Sequence, residues 1–436
     1  MTTSPTPPRA YLPSLPPELL SAIFLRRSSS TSTTRAVPIY STSAAYEADQ
    51  PLRLSPSSIA ISRSLLPFTR ANAYDHVTIC GDVALARFGE TLKAEGGKNA
   101  WCGGLVRVLE VKGESKRFSH GRQQEEGNWS AERLAAGHLA VFDHLVPGVL
   151  QEVIIDRASP EQLLTLPVLS SHAFSAPRIA RQRKLKLIIV GNEPVSFECL
   201  RFLSKATGVG EVEVRGAMRL KTEGGAAMFP ESERVEGLEK VAIESEPHAA
   251  GLVPFLEQTS IRSLRLRCST TDPNVVFGAL GPRTKANLEE INFSPSGYLQ
   301  REIGLAFASF PSLTYLTLRS SSLLLTDMFF FSLRSLPKLC TLSLRGPVAT
   351  GGQPCDTVAL VADWLESLTV DGRLERLEAV RLDVPPGGKA AVRTVAGEGR
   401  PVSRAEYHAR RLVAAALRVD VRVSGSFLDY VSATSY

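Results

Sequence analysis

The sequence predicts an α/β solenoid, a coil in which short parallel strands form one face and helices the other. Three observations predict it. An apolar triplet with the spacing L-x-x-L-x-L recurs along the chain as Val209-Val212-Val214, Leu238-Val241-Ile243, Ile261-Leu264-Leu266, Leu288-Ile291-Phe293, Leu313-Leu316-Leu318, Leu339-Leu342-Leu344 and Leu377-Val380-Leu382. The last residues of successive triplets stand 29, 23, 27, 25, 26 and 38 positions apart, a period within the range of known repeat arrays. Helix-like apolar patterns fill the intervals, so each period couples one strand to one helix. Such a unit buries its apolar face by stacking on the next.

Within a triplet the last two residues lie two apart and point to the same side of a strand. The first marks where the chain turns into that strand. The clearest helical interval is Met328, Phe329, Phe331, Leu333 and Leu336, opened by Thr326-Asp327 as an N-cap pair. Phe197 to Leu203, Val275 to Leu280, Leu305 to Phe310, Val358 to Leu368 and Tyr407 to Leu417 are expected helical by the same pattern. Upstream the triplets are Tyr74-Val77-Ile79, Val106-Leu109-Val111, Leu150-Val153-Ile155 and Leu185-Ile188-Val190, with looser steps of 32, 44 and 35. The Gly- and charge-rich stretch from Lys112 to Ser130 reads as a surface loop in these irregular early repeats. Val419, Val421 and Val423, alternating with Asp420 and Arg422, read as a last strand. A doubly wound α/β domain also alternates strands and helices, but rarely holds one triplet at one step. The repeats over 74–436 resemble the leucine-rich-repeat family, which implies strands on a concave face and helices outside. The asparagine or cysteine which that family places three positions after the triplet is not regular here.

With 436 residues and 43% of them apolar, the chain can bury a large core. Its net charge of +6 comes from dispersed basic residues, without the dense stripe and interleaved aromatics of a nucleic-acid binder. The start, Met1 to Leu12, is polar and proline-rich and reads as a disordered tail over 1–11, with no apolar core like that of a signal peptide. No stretch approaches the roughly 18 apolar residues of a membrane span. Cys80, Cys102, Cys199, Cys268, Cys340 and Cys355 are scattered, which suggests reduced thiols and an intracellular protein, cytoplasmic or nuclear. The nucleophile elbow G-x-S-x-G, the phosphate loop G-x-x-x-x-G-K and the zinc helix H-E-x-x-H are all absent. The seven histidines lie at no ligand spacing from a cysteine or another histidine. A non-catalytic protein with no cofactor and no metal is therefore expected.

At the N-terminus, Leu15-Pro16-Pro17-Glu18-Leu19-Leu20-Ser21-Ala22-Ile23-Phe24 reads as a short helix. The prolines suit a first turn, Glu18 favours the positive helix end, and Leu19, Leu20, Ile23 and Phe24 share one side. From Ser28 to Ser58 the composition turns to Ser, Thr, Pro and Ala, a disordered insertion. Order resumes with Ile59 to Phe68, leading into Tyr74 to Ile79. The run LPPELLSAIF resembles the opening helix of an F-box. The run ISRSLLPFTRANAYDHVTI is similar to its later helices and exit strand, as in fungal F-box proteins with leucine-rich repeats. The segment over 12–79 is thus a small all-α F-box-like segment split by the insertion, with Leu66 and Phe68 where a tryptophan is usual.

The resemblance implies a non-catalytic bridge. F-box helices dock on the Skp-type adaptor of a cullin-based SCF ubiquitin ligase, and the repeats hold a protein substrate. Leu15, Pro16, Leu19, Leu20, Ile23 and Phe24 would then supply the adaptor contact. The alternative is a leucine-rich-repeat interaction scaffold with no ubiquitin role, whose first helix caps the array.

Strand alternation gives a substrate-side surface. Residues between and after the triplet positions face the concave side: Glu213, Arg215, Arg265, Arg267, Asn292, Thr317, Arg319, Ser343, Arg345, Arg381 and Asp383. The position just after the triplet is arginine in four repeats (Arg215, Arg267, Arg319, Arg345) and Glu244, Ser294 or Asp383 in the others. An arginine row of this kind suits carboxylates or phosphates. An acidic or phosphorylated protein partner, with Arg215, Arg265, Arg267, Arg319, Arg345 and Arg381 as contacts, is the expectation; no nucleic acid or membrane is.

Overall fold

The structure, a computed structural model, describes residues 75–95, 103–113, 129–176, 184–191, 195–196, 200, 202–216, 218–219, 235, 237–244, 249–267, 273–295, 301–303, 307–319, 323–346, 348–349, 354–371, 376–383 and 404–428. The tail over 1–11, the F-box-like helices with Leu15, Pro16, Leu19, Leu20, Ile23 and Phe24, and the 28–58 insertion lie outside the described residues. The chain divides into two compact units, Met1–Val153 and Ile154–Tyr436.

In the first unit, β1 (His76–Cys80) and β2 (Val108–Lys112) pair in parallel, with Val77 opposite Leu109 and Ile79 opposite Val111. The two loosely spaced triplets therefore share one register. Ile79, Leu109 and Val111 are buried. Two helices, α1 (Asp82–Glu95) and α2 (Ala131–His144), belong to the same unit. Ser130 caps α2, its hydroxyl accepting from the Arg133 N–H at 3.2 Å. The helices meet at small residues: a Cβ on Gly137 would lie 2.5 Å from that of Ala86. The chain enters β3 (Glu152–Arg157) with the Gln151 and Glu152 N–H groups donating to the Arg107 carbonyl at 2.8 and 3.1 Å.

On the opposite face of this pair, Glu110 accepts from the Thr78 hydroxyl at 2.9 Å and pairs with His76 at 3.5 Å and Lys112 at 3.2 Å. The His76 hydrogen bond, helped by Thr78 and Lys112 and opposed by burial, lowers the Glu110 pKa from 4.5 to about 2. A carboxylate depressed on folding contributes stability above its unfolded pKa and loses it as pH falls through the folded one. The melting temperature of wild type should therefore exceed that of Glu110→Gln at pH 6, and the gap should close as pH falls from 4.5 towards 2. A gap independent of pH would refute the assignment.

The second unit is an open, solenoid-like α/β layer. Its strands are β4 (Leu185–Gly191), β5 (Val209–Arg215), β6 (Lys240–Glu244), β7 (Ser263–Leu266), β8 (Glu290–Phe293), β9 (Tyr315–Arg319), β10 (Thr341–Arg345), β11 (Ala379–Asp383) and β12 (Arg422–Ser424). From β4 to β12 they lie side by side in chain order, every pairing parallel. A doubly wound sheet reverses its strand order at a switch point, and this one does not. The triplets align across the sheet: Val212, Val241, Leu264, Ile291, Leu316, Leu342 and Val380 form one row. Val214, Ile243, Leu266, Phe293, Leu318, Leu344 and Leu382 form the next, and both rows are buried.

Helices α3 (Ala249–Glu257), α4 (Pro273–Ala279), α5 (Pro282–Asn287), α6 (Asp327–Leu333), α7 (Pro354–Asp371) and α8 (Arg404–Arg418) occupy the intervals. Thr326 caps α6 as its sequence predicts, accepting from the Phe329 N–H at 3.3 Å. The α7–α8 pair is tied by Arg411 to Asp363 and Glu366 and by Arg404 to Asp356. Between sheet and helices runs an aromatic chain. Phe277 meets Phe293 at 5.6 Å and Phe307 at 5.1 Å; Phe307 reaches Phe329, then Phe330 and Trp364. Among the described residues, no helix is long and apolar enough to cross a membrane.

One expectation needs correction. In β4 the residues in register with the core rows are Leu187 and Ile189, opposite Val212 and Val214; Ile188, although buried, and Val190 stand opposite Glu213 and Arg215 instead. Gly210 is an extra residue in β5, so Leu185 still meets Val209 while the spacing in β4 shortens. Of the expected helix Leu305 to Phe310 the structure describes 307–310, where Phe307 is in 3-10 conformation; of Phe197 to Leu203 it describes Leu200, which is helical, and the 3-10 helix Phe202–Lys205. A feature the triplets do not encode is a second parallel ladder of short strands, Arg301–Ile303, Leu323–Leu325 and Val348–Ala349. Another joins Val195–Ser196 to Met218–Arg219.

Candidate partner-binding face

Because the triplet residues point into the core, the alternate residues form the opposite face of the sheet. Register sorts them into rows. Glu213, Ala242, Arg265, Asn292, Thr317, Ser343 and Arg381 stand side by side. Two residues on along the strands stand Arg215 opposite Glu244, and Arg319 between its strand neighbours and Arg345, which in turn meets Asp383. Arg267 and Ser294 continue β7 and β8 at that level, their N–H groups donating to the Ile243 and Leu266 carbonyls at 2.8 Å. Tyr315, 51% exposed, lies on the same face of β9 as Thr317 and Arg319. All six arginines expected on this face are there, but they are not equivalent.

Arg215 is held by Glu213 at 2.6 Å, and Glu213 also receives Lys186 at 2.8 Å. Burial works against the charge on Glu213 and Lys186. Their mutual hydrogen bond, reinforced by Arg215 and Glu211, outweighs it, so the carboxyl pKa falls and the ammonium pKa rises. That end of the face is neutralised. Arg265 pairs with Glu244 at 2.9 Å. Asp383 serves two arginines, Arg381 at 3.0 Å and Arg345 at 3.4 Å. Arg319 has no ion-pair partner among the described residues, and its Nε, though buried, has no hydrogen bond there. Burial, then the like charges of Arg345, Arg265 and Arg381, depress its pKa; Asp383 opposes them. The Nε of Arg345 and the hydroxyl of Ser343 are buried without a hydrogen bond as well.

The centre of the face is thus a cationic cluster around Arg319 with unsatisfied donors, flanked by the neutral side chains Asn292 and Thr317. Chemically it can grip an anion. Among the described residues, no group of three His, Cys, Asp or Glu side chains could hold a metal ion. The basic residues Lys184 and Lys186 are paired to Glu239 and to Glu211 and Glu213 respectively. Sequence reasoning placed the arginines but missed their counter-ions. For Glu213 with Arg215, and for Arg381 with Asp383, the signal was present: residues two apart on a strand share a face. The Glu244–Arg265 pair crosses strands and needs the register. Models of known protein families give no match to this chain, and no curated protein matches it either.

Proposed function

We propose that this chain is a leucine-rich-repeat receptor of the F-box type. In this reading its sheet face grips an acidic segment of a protein partner, and its N-terminal F-box-like helix, through Leu15, Pro16, Leu19, Leu20, Ile23 and Phe24, delivers that partner to a Skp-type adaptor of a ubiquitin ligase. The observation that carries the receptor reading is the arginine cluster, in which Arg319 lacks an anionic partner among the described residues while Arg265, Arg345 and Arg381 surround it. A half-buried cation with an unsatisfied Nε is costly, and an incoming carboxylate lowers that cost. The adaptor half rests on the likeness of LPPELLSAIF to an F-box opening helix. A chain-ordered parallel sheet accompanies both, as expected of a repeat array.

Two measurements test the reading. A fluorescein-labelled poly-glutamate peptide should bind the purified chain and lose about 100-fold in affinity to Arg319→Glu, Arg345→Glu, from hydrogen bonds to charged groups worth about 1.5–3 kcal/mol each. Equal binding by both proteins would remove this face as the site. Separately, the chain should co-purify with a Skp-type adaptor, and Leu19→Asp, Ile23→Asp should not. If neither protein binds while both remain folded, the ubiquitin role falls and an interaction scaffold remains.

A further inference from the structure

We infer that the last edge of the sheet is a self-association surface, where β12 and α8 of two copies meet about a two-fold axis. β12 pairs with β11 on one side and, among the described residues, with no strand on the other. The Arg422 N–H donates to the Glu378 carbonyl at 2.9 Å, so the main-chain groups of Val423, which alternate with it, turn outward. Val423 continues the core row after Val380, and among the described residues that row has no further member. In its place lies a groove of about 570 Å³ lined by Val413, Ala416, Leu417, Val421 and Val423. Leu417 is 77% exposed, more than any other large apolar side chain among the described residues. Edges meant to stay single commonly carry proline or lysine, and 421–424 hold neither.

Charge identifies the occupant. Asp420 and Arg422 border the groove, both are exposed, and neither has an ion pair among the described residues. The run Val419-Asp420-Val421-Arg422-Val423 reads the same in either direction with its charges exchanged. When two such runs lie antiparallel about an axis at Val421, Asp420 of each stands opposite Arg422 of the other, and Val419 opposite Val423. Opposite charges facing across strands are favourable, and like charges are not. Moving the axis one residue to Arg422 sets two arginines face to face, so charge selects the register. The Val421 N–H donates to the Ala416 carbonyl at 3.0 Å, which holds the last turn of α8 beside this axis and brings the two Leu417 side chains together. Asp420, at φ 56°, turns the chain, so side chains carry this contact more than a long ladder does. An isologous contact closes at two copies. Its axis stands normal to the sheet, so both sheet faces point the same way. On the receptor reading, a partner with two acidic segments then engages both.

Sedimentation equilibrium of the purified full chain tests the contact. Wild type should show a concentration-dependent monomer–dimer equilibrium. Leu417→Lys, at an exposed position where a cation suits the helix end, should be folded by circular dichroism and monomeric. Arg422→Glu and Asp420→Lys should each weaken the dimer about tenfold, because two facing pairs become like charges. Mixed in equal amounts, these two variants should form a heterodimer, since each acid again meets a base. A dimer unchanged in Leu417→Lys, or charge variants that fail to complement each other, would overturn the contact. So would a wild type that stays monomeric at every concentration. If that monomer binds a synthetic strand copying Glu378–Asp383 and Leu417→Lys does not, the groove belongs to another protein's strand instead of a second copy.

Discussion

Phe277→Ala is expected to destabilise the second unit by about 3–5 kcal/mol. Phe277 is fully buried and sits where three rings converge, with Phe293 at 5.6 Å, Phe307 at 5.1 Å and Phe310 at 6.0 Å. It comes from α4, Phe293 from β8, and the other two from the turn before β9, so one ring joins two successive repeats. Truncation leaves a cavity that this rigid aromatic lining cannot close. In a repeat array each unit depends on its neighbours, so the loss should spread first into β7, β8 and β9. Urea unfolding reads the size of the effect, and hydrogen exchange reads its location. Phe331→Ala is the matched control. Phe331 lies on α6 but is 62% exposed, and its loss should shift stability by about 0.5 kcal/mol or less. If the two variants unfold together at the wild-type midpoint, the aromatic chain is not what joins these repeats.

Gly216→Val should be comparably severe, through the backbone. Gly216 follows Arg215 at the exit of β5, with φ at 130°, where a side chain is strained by about 1–3 kcal/mol. A Cβ there would also lie 2.3 Å from the Gly191 carbonyl oxygen, a contact that no rotamer relieves. The expected result is a local opening of β4 and β5, seen as new protease sensitivity near residue 216. Wild-type proteolysis in folded Gly216→Val would show that the turn re-forms with another geometry. The same Arg-Gly pair recurs at Arg345-Gly346, Gly346 having φ 80°.

Most of the architecture was legible because one physical rule repeats. Apolar residues two apart face one side of a strand, and a constant step puts successive strands in register. From Val212 to Leu382 that rule located the core rows. It failed at β4, where Leu187, Ile188, Ile189 and Val190 form an unbroken apolar run. Such a run fits either phase, and Gly210 on the neighbouring strand decides between them. The short second ladders carry too few residues to leave a pattern. On the candidate site, alternation located every arginine, but not which would be free to act. That depends on Glu244 reaching Arg265 from the next strand and on Asp383 dividing itself between Arg345 and Arg381. Charges across strands are a product of register, which single-residue spacing does not specify.

Because β4 to β12 follow one another in space as they do in the chain, the surface reads like a line of text. The patch from Arg265 to Asp383 is encoded by one uninterrupted stretch of sequence, unlike a site assembled from shuffled strands. Duplicating the segment between β9 and β10 would therefore insert a whole new column between Arg319 and Arg345. It would move these two residues apart by about one strand spacing, 4.8 Å, without disturbing either flank. Ligand choice in such a fold can change by copying or deleting a paragraph, with no need to rewrite individual letters.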